Sequence, residues 1–262
     1  MFRLILFTFL SFLFGCDRDQ DLLLSNEKLI QSDTESNATE ANISSVDDGL
    51  SSTGAKISSD ESNGPDSNDK SPDSPANLVN PINAIQRVLA KANPDYRGQG
   101  KLHEENGQII AAEFPNCGLK DLSPLRGLPL QALDLSGNPV KEIRHLRGMP
   151  LNRLFLEFTL VESLEDLRDA KLIELRLNGS PVRSLAGLEG QPLENLYAVN
   201  TQINNISALN KSNLRQLWLT ESPVSDLSPL EGLPLVSLTA HRTLVEDLSF
   251  IRKLPVIQRL HI

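Results

Sequence analysis

The sequence is short of the residues on which most site chemistry depends. It has two cysteines, Cys16 and Cys117, so one disulfide is the most it could form. Its four histidines, His103, His145, His241 and His261, show no metal-ligand spacing with one another or with a cysteine. There is no G-x-S-x-G elbow, no phosphate-cradling glycine loop and no kinase signature. Glu104 and Glu105 stand beside a turn, where a solvated pair needs no further role. No catalytic residue, metal site or cofactor is assigned, and an enzyme is not expected. Long apolar runs are missing too. The one run near the start, residues 4–14, is broken by Thr8 and Ser11 and falls below the about 20 residues of a spanning helix. Aromatic residues make up 5% of the chain, with a single Trp, so a large ring on a surface is informative.

Charge is segregated along the chain. The net charge is −9, yet residues 17–80 hold fourteen acidic side chains against four basic ones. Residues 81–262 hold twenty of each sign, so the part expected to fold has no bulk electrostatic footprint for nucleic acid. The acidic segment is rich in Ser, Asp and Asn and has no aromatic residue. It cannot bury enough apolar surface to offset its ordering entropy, and it reads as a disordered linker with a reach of about 45 Å.

The first fifteen residues have the form of a secretory signal, with Arg3 ahead of the apolar run. The run ends in Leu13-Phe14-Gly15-Cys16, which resembles the lipobox of bacterial lipoproteins. That resemblance implies cleavage before Cys16, acylation of Cys16 and a membrane-anchored N-terminus in the cell envelope, at the inner or the outer membrane. Cys117 is then left without an intramolecular partner, and the folded part must hold together by its core.

The decisive pattern is a repeat of 21 residues. Apolar residues start each unit at Ile109, Leu130, Leu151, Leu172, Leu193, Leu214, Leu235 and Val256, and others follow three, five, ten, thirteen and sixteen positions on. The L-x-x-L-x-L portion alternates apolar with polar residues, as a strand with one buried face does. The later apolar residues, as in Val224-Ser225-Asp226-Leu227-Ser228-Pro229-Leu230, suit a tight helical turn on the far side. Asp121, Glu142, Asp226 and Asp247 recur where that turn wants a capping acceptor. A single unit cannot hide its apolar face, so the units must stack. The slot eight positions after each start is small or polar: Cys117, Asn138, Thr159, Ser180, Thr201, Ser222 and Thr243.

This pattern resembles the leucine-rich-repeat family, in particular the bacterial internalin-like type, and Asp121-Leu122-Ser123-Pro124-Leu125 is among the closest matches. The resemblance implies an α/β fold, a right-handed β/α solenoid with seven full units and a partial eighth. It also implies that the small slot turns inward to hydrogen-bond the backbone where each strand ends, which gives Cys117 a structural role. Residues 81–92 carry apolar side chains at 82, 85, 88 and 89, which fits a helix ending before Asn93-Pro94. Asn106-Gly107 reads as a hairpin turn. Helix and hairpin would cap the first unit. The expected organisation is therefore signal 1–15, acylated cysteine and linker 16–80, cap 81–107 and repeats 108–262.

Residues between the inward leucines must face out on the concave sheet. The central column then runs through Phe155, Arg176, Tyr197 and Trp218, with His241 in the next column. Large aromatics and Arg are the residue types most often found as binding anchors. The expected function is non-catalytic recognition of a protein, or of a glycan, at the bacterial cell envelope. The alternative is a structural piece that self-associates through its C-terminal edge.

Overall fold

The computed structural model describes residues 80–262. The signal segment, the acylation proposed at Cys16 and the linker as far as residue 79 lie outside the described residues. Among the described residues no helix is long and apolar enough to cross a membrane.

The chain opens with helix α1, Pro81–Ala92. Asn80 caps it, accepting the Ile82 N–H at 2.9 Å, and Pro81 stands at a position whose N–H needs no partner. Leu89 is buried, and Ile82 and Ile85 pack on the core. Val88 turns away from it and is half exposed, although the spacing grouped it with the apolar face. Just past the helix, Asn93 is buried and ties the cap to the repeats. Its Oδ1 accepts the N–H groups of Lys120 (2.7 Å) and Asp121 (2.8 Å), and its Nδ2 donates to the Asp121 carbonyl at 2.9 Å. Strands β1, Lys101–Glu105, and β2, Gln108–Glu113, form an antiparallel hairpin around Asn106 and Gly107, both at positive φ. Gly100 is required beside it, because a Cβ there would come within 2.0 Å of the buried Phe114 ring.

From β2 onward the sheet is parallel. It continues through β3 (Ala132–Asp134), β4 (Arg153–Phe155), β5 (Glu174–Arg176), β6 (Asn195–Tyr197), β7 (Gln216–Trp218), β8 (Ser237–Thr239) and β9 (Arg259–His261). The nine strands lie side by side in chain order. Strands β3 to β9 are short because three residues suffice to present one inward leucine, such as Leu154, Leu175 or Leu196, between two outward side chains. The inward residues of successive units build one continuous core.

The register advances by 21 residues per strand, except at the last step, where Ser237 pairs with Arg259. The unit starting at Leu235 is thus one residue longer than the period predicts. Ile257, not Val256, packs toward the core, and Val256 is 45% exposed. The extra residue lies between Leu254, which still follows Leu233 by 21 residues and is buried like it, and β9; in the longer turn Ser249–Lys253 before it, Phe250 becomes the buried side chain.

The return segments are 3-10 turns, such as Ser123–Leu125, Arg144–Leu146 and Ser228–Leu230. The unit carrying β5 departs from this pattern and has no helical turn. Gly187 there has φ +98°, and a Cβ on it would lie 2.4 Å from the Leu164 carbonyl oxygen. Buried Gln191 ties this stretch to its surroundings: its Nε2 donates to the carbonyls of Leu167 (2.8 Å) and Gly187 (2.7 Å), and its Oε1 accepts the Leu172 N–H at 3.0 Å.

The small slot turns inward. Asn138 donates to the Phe114 (2.6 Å) and Leu135 (2.8 Å) carbonyls and accepts the Leu119 N–H at 2.9 Å. Thr159, Ser180, Thr201 and Thr243 each donate to the carbonyl three residues back. Cys117 occupies the same slot, buried, with Sγ 3.5 Å from the Pro115 carbonyl. Burial, then the nearby Asp134 carboxylate, pushes its thiol pKa up, which disfavours the reactive thiolate.

Candidate functional site

Strand pairing puts Glu113, Asp134, Phe155, Arg176, Tyr197 and Trp218 opposite one another in that order. Their side chains leave the face of the sheet opposite the leucine core, so four of the five predicted anchors form one row. Arg176 is the hinge of that row. Its guanidinium carbon lies 4.7 Å from the centroid of the Phe155 ring and 5.0 Å from that of Tyr197. Its Nε donates to Glu174 Oε1 at 2.9 Å, which fixes the plane of the fork. Tyr197 meets Trp218 edge to face at 5.2 Å and 75°, and its hydroxyl donates to Gln216 Oε1 at 2.9 Å. Each member is thus held by the next.

Burial opposes the charge on Arg176, but the Glu174 carboxylate and its hydrogen bond outweigh that. Glu157 and Tyr197 add to the effect, and the pKa is raised above the ordinary arginine value. The cation is therefore permanent. A second tie flanks the row: Asn178 Nδ2 donates to Glu157 Oε1 at 2.7 Å, and Asn178 Oδ1 accepts the Val199 N–H at 2.9 Å.

His241, the fifth predicted anchor, stands exposed beyond the end of β8 and takes no part in these contacts. Glu174 and Asn178, which orient the row, were visible only as members of outward columns. Their role depends on which rotamer meets which neighbour, and spacing does not encode that. Phe158 was missed altogether. It is 66% exposed at the rim just past β4. The signal for it was a bulky residue in a column where Asn116, Gly137, Gly179 and Asn200 are small or turn-forming.

Comparison with solved structures gives the architecture its place. An internalin (inlF) from Listeria monocytogenes superposes with a TM-score of 0.58 at 23% identity, covering 69% of this chain and 54% of that one. Internalin C2 (inlC2) from the same organism gives 0.57 at 23% identity, covering 72% and 86%. The fold is a leucine-rich-repeat solenoid. The chain spans 54% of the length of the first internalin, and the likeness is one of fold. No protein-family model and no curated protein matches the sequence. Leucine-rich-repeat architecture leaves the concave row outside the core, and the structural inward slots are already filled by leucines. The rings of that row therefore lie outside the leucine core.

Proposed function

We propose that this leucine-rich-repeat domain is a non-catalytic binding module that recognises a protein through Phe155, Arg176, Tyr197 and Trp218, with His241 at the periphery. The observation that carries this reading is the continuous contact chain along the row, a guanidinium between two rings followed by an edge-to-face pair. Pre-ordered aromatics and Arg lose little conformational entropy on binding. The edge-to-face packing also bears on ligand class. Tyr197 and Trp218 do not lie in one plane, so they offer no shared flat platform for a sugar ring, which favours a polypeptide over the glycan alternative. We further propose that the domain is displayed at the bacterial cell envelope through an acylated Cys16.

The test is a crosslinking pull-down from the native envelope with the full-length protein. Wild type is compared with the combined Phe155→Ala, Tyr197→Ala and Trp218→Ala variant. A partner captured by wild type and lost by the folded variant supports the reading. Equal capture by both removes the row as the site. Conversion of Cys16 to Ser should release the protein from the membrane fraction.

A second reading draws on the last units, where Leu244, Leu248, Val256, Leu260 and Ile262 are exposed. Self-association there predicts a molecular mass that rises with concentration and is unaffected by the triple substitution.

A further inference from the structure

The concave row alternates two kinds of group. Phe155 and Tyr197 supply rings, and the strands that follow each of them supply donors, the Arg176 guanidinium and the Trp218 indole N–H. Like members therefore stand two strands apart. Adjacent strands are about 4.8 Å apart, so the row repeats about every 9.6 Å.

Donors and acceptors of the face are not equally engaged. The acceptors are occupied from within. Glu174, with its side chain 13% exposed, accepts from Arg176 Nε, and Gln216 Oε1 accepts the Tyr197 hydroxyl. The donors are left over. A guanidinium carries five N–H groups, and Arg176 uses one on Glu174; among the described residues no hydrogen bond takes the others. Nor does any described residue accept the Trp218 indole N–H. The outward positions of β6 to β8 are Asn195, Tyr197, Gln216, Trp218, Ser237 and Thr239, none of them charged. The complement of such a face is a segment without charge there, with carbonyl acceptors to offer and few N–H donors to satisfy.

A proline-rich segment has that chemistry, because proline keeps its carbonyl and lacks the N–H. Its conformation matches the row as well. A polyproline-II chain has three residues per turn and rises about 3.1 Å per residue, so like positions return about every 9.3 Å. A β-strand presents the same face about every 6.6 Å and falls out of step. The 75° angle between Tyr197 and Trp218 makes a corner rather than a platform, and a corner suits a puckered pyrrolidine ring.

We propose that the concave row binds a polyproline-II segment of the partner, laid along the row across the strands. Prolines three residues apart pack on Phe155 and on the corner of Tyr197 and Trp218, and carbonyls between them accept from Arg176 and Trp218. The inference rests on the concave reading above and adds the composition and conformation of the bound segment.

The test pans a random dodecapeptide library on the full-length protein and then titrates the enriched peptides. Trp218 is the only Trp in the chain, so tryptophan emission reports from the row itself. Enriched peptides should carry prolines at i and i+3 and should shift that emission as they bind. Inserting one residue between those prolines should weaken binding about ten-fold. Trp218→Phe, which keeps a ring and removes the N–H, should do the same by calorimetry. Enriched peptides that lack the spacing but are lost by the triple concave variant would overturn the proline inference and leave the concave reading standing. Peptides kept by the triple variant would overturn both. An unmoved emission, full-strength binding to Trp218→Phe, or a library with no enriched peptide would also overturn the proposal.

Discussion

At the scale of the residue, the small inward slot shows how little freedom each unit has. Asn138 is buried and bonds four backbone groups at once, whereas Thr159 bonds one. A buried group left without its partner costs about 1–3 kcal/mol, so Asn138→Ala should cost more than Thr159→Ala, by about 2 kcal/mol in urea unfolding. The capping carboxylates show the same economy on the convex side. Asp121 accepts the Ser123 N–H at 2.8 Å and the Ser123 hydroxyl at 2.9 Å, and Asp247 does the same with Ser249. Backbone first, then side-chain hydrogen bonding holds both pKa values below the usual carboxylate range. A depressed folded pKa means the stabilisation is complete above the unfolded value, about 3.9, and is lost as pH falls through the lower folded value. A carboxyl NMR titration should find both midpoints low, and Ser123→Ala should raise that of Asp121 alone. Glu142, expected to cap in the same way, instead pairs with the Arg144 guanidinium. Its longer side chain overshoots the N–H two residues on, and Asn205 does for Ser207 what an Asp would do.

At the scale of the element, legibility followed repetition. Strands were readable because each inward leucine recurs in the same role many times. The helix Pro81–Ala92 was readable because its cap and its stop are local signals. The Ser249–Lys253 turn was not. Phe250 and Ile251 are both apolar, and only packing decides which one turns in. Nor was the loss of a helical turn around Gly187, where a Cβ would lie 2.4 Å from the neighbouring unit's Leu164 carbonyl oxygen, a contact between units that spacing does not encode. The concave row was legible as a set of positions. Its internal ties to Glu174 and Gln216 were not, because rotamers are chosen in three dimensions. Asn93 was likewise read only as a helix stop, although it joins two elements. Asn93→Ala would strand the N–H groups of Lys120 and Asp121 against an otherwise buried contact. Hydrogen exchange at those two amides should accelerate by an order of magnitude or more, while amides in β6 and β7 keep their protection.

At the scale of the whole molecule, a stack of units is held by contacts between neighbours, so stability should vary with position along it. Leu175 on β5 is fully buried between β4 and β6, with leucines of adjoining units on both sides. Leu260 holds the equivalent place on β9 but is 36% exposed, and among the described residues only β8 pairs with that strand. The two positions have the same residue in the same local structure, so a difference between them measures stacking alone. Truncating a leucine in a filled core costs about 3–5 kcal/mol, because surrounding side chains relax only partly into the space. Where one side is already open to water, little cavity forms, and about 1 kcal/mol or less is expected. Leu175→Ala should therefore lower the urea midpoint steeply and broaden the transition, as the halves on either side lose their coupling. Leu260→Ala should leave the main transition in place. If the two substitutions cost the same, the β9 face is covered in solution, and the self-association reading gains over recognition by the concave row.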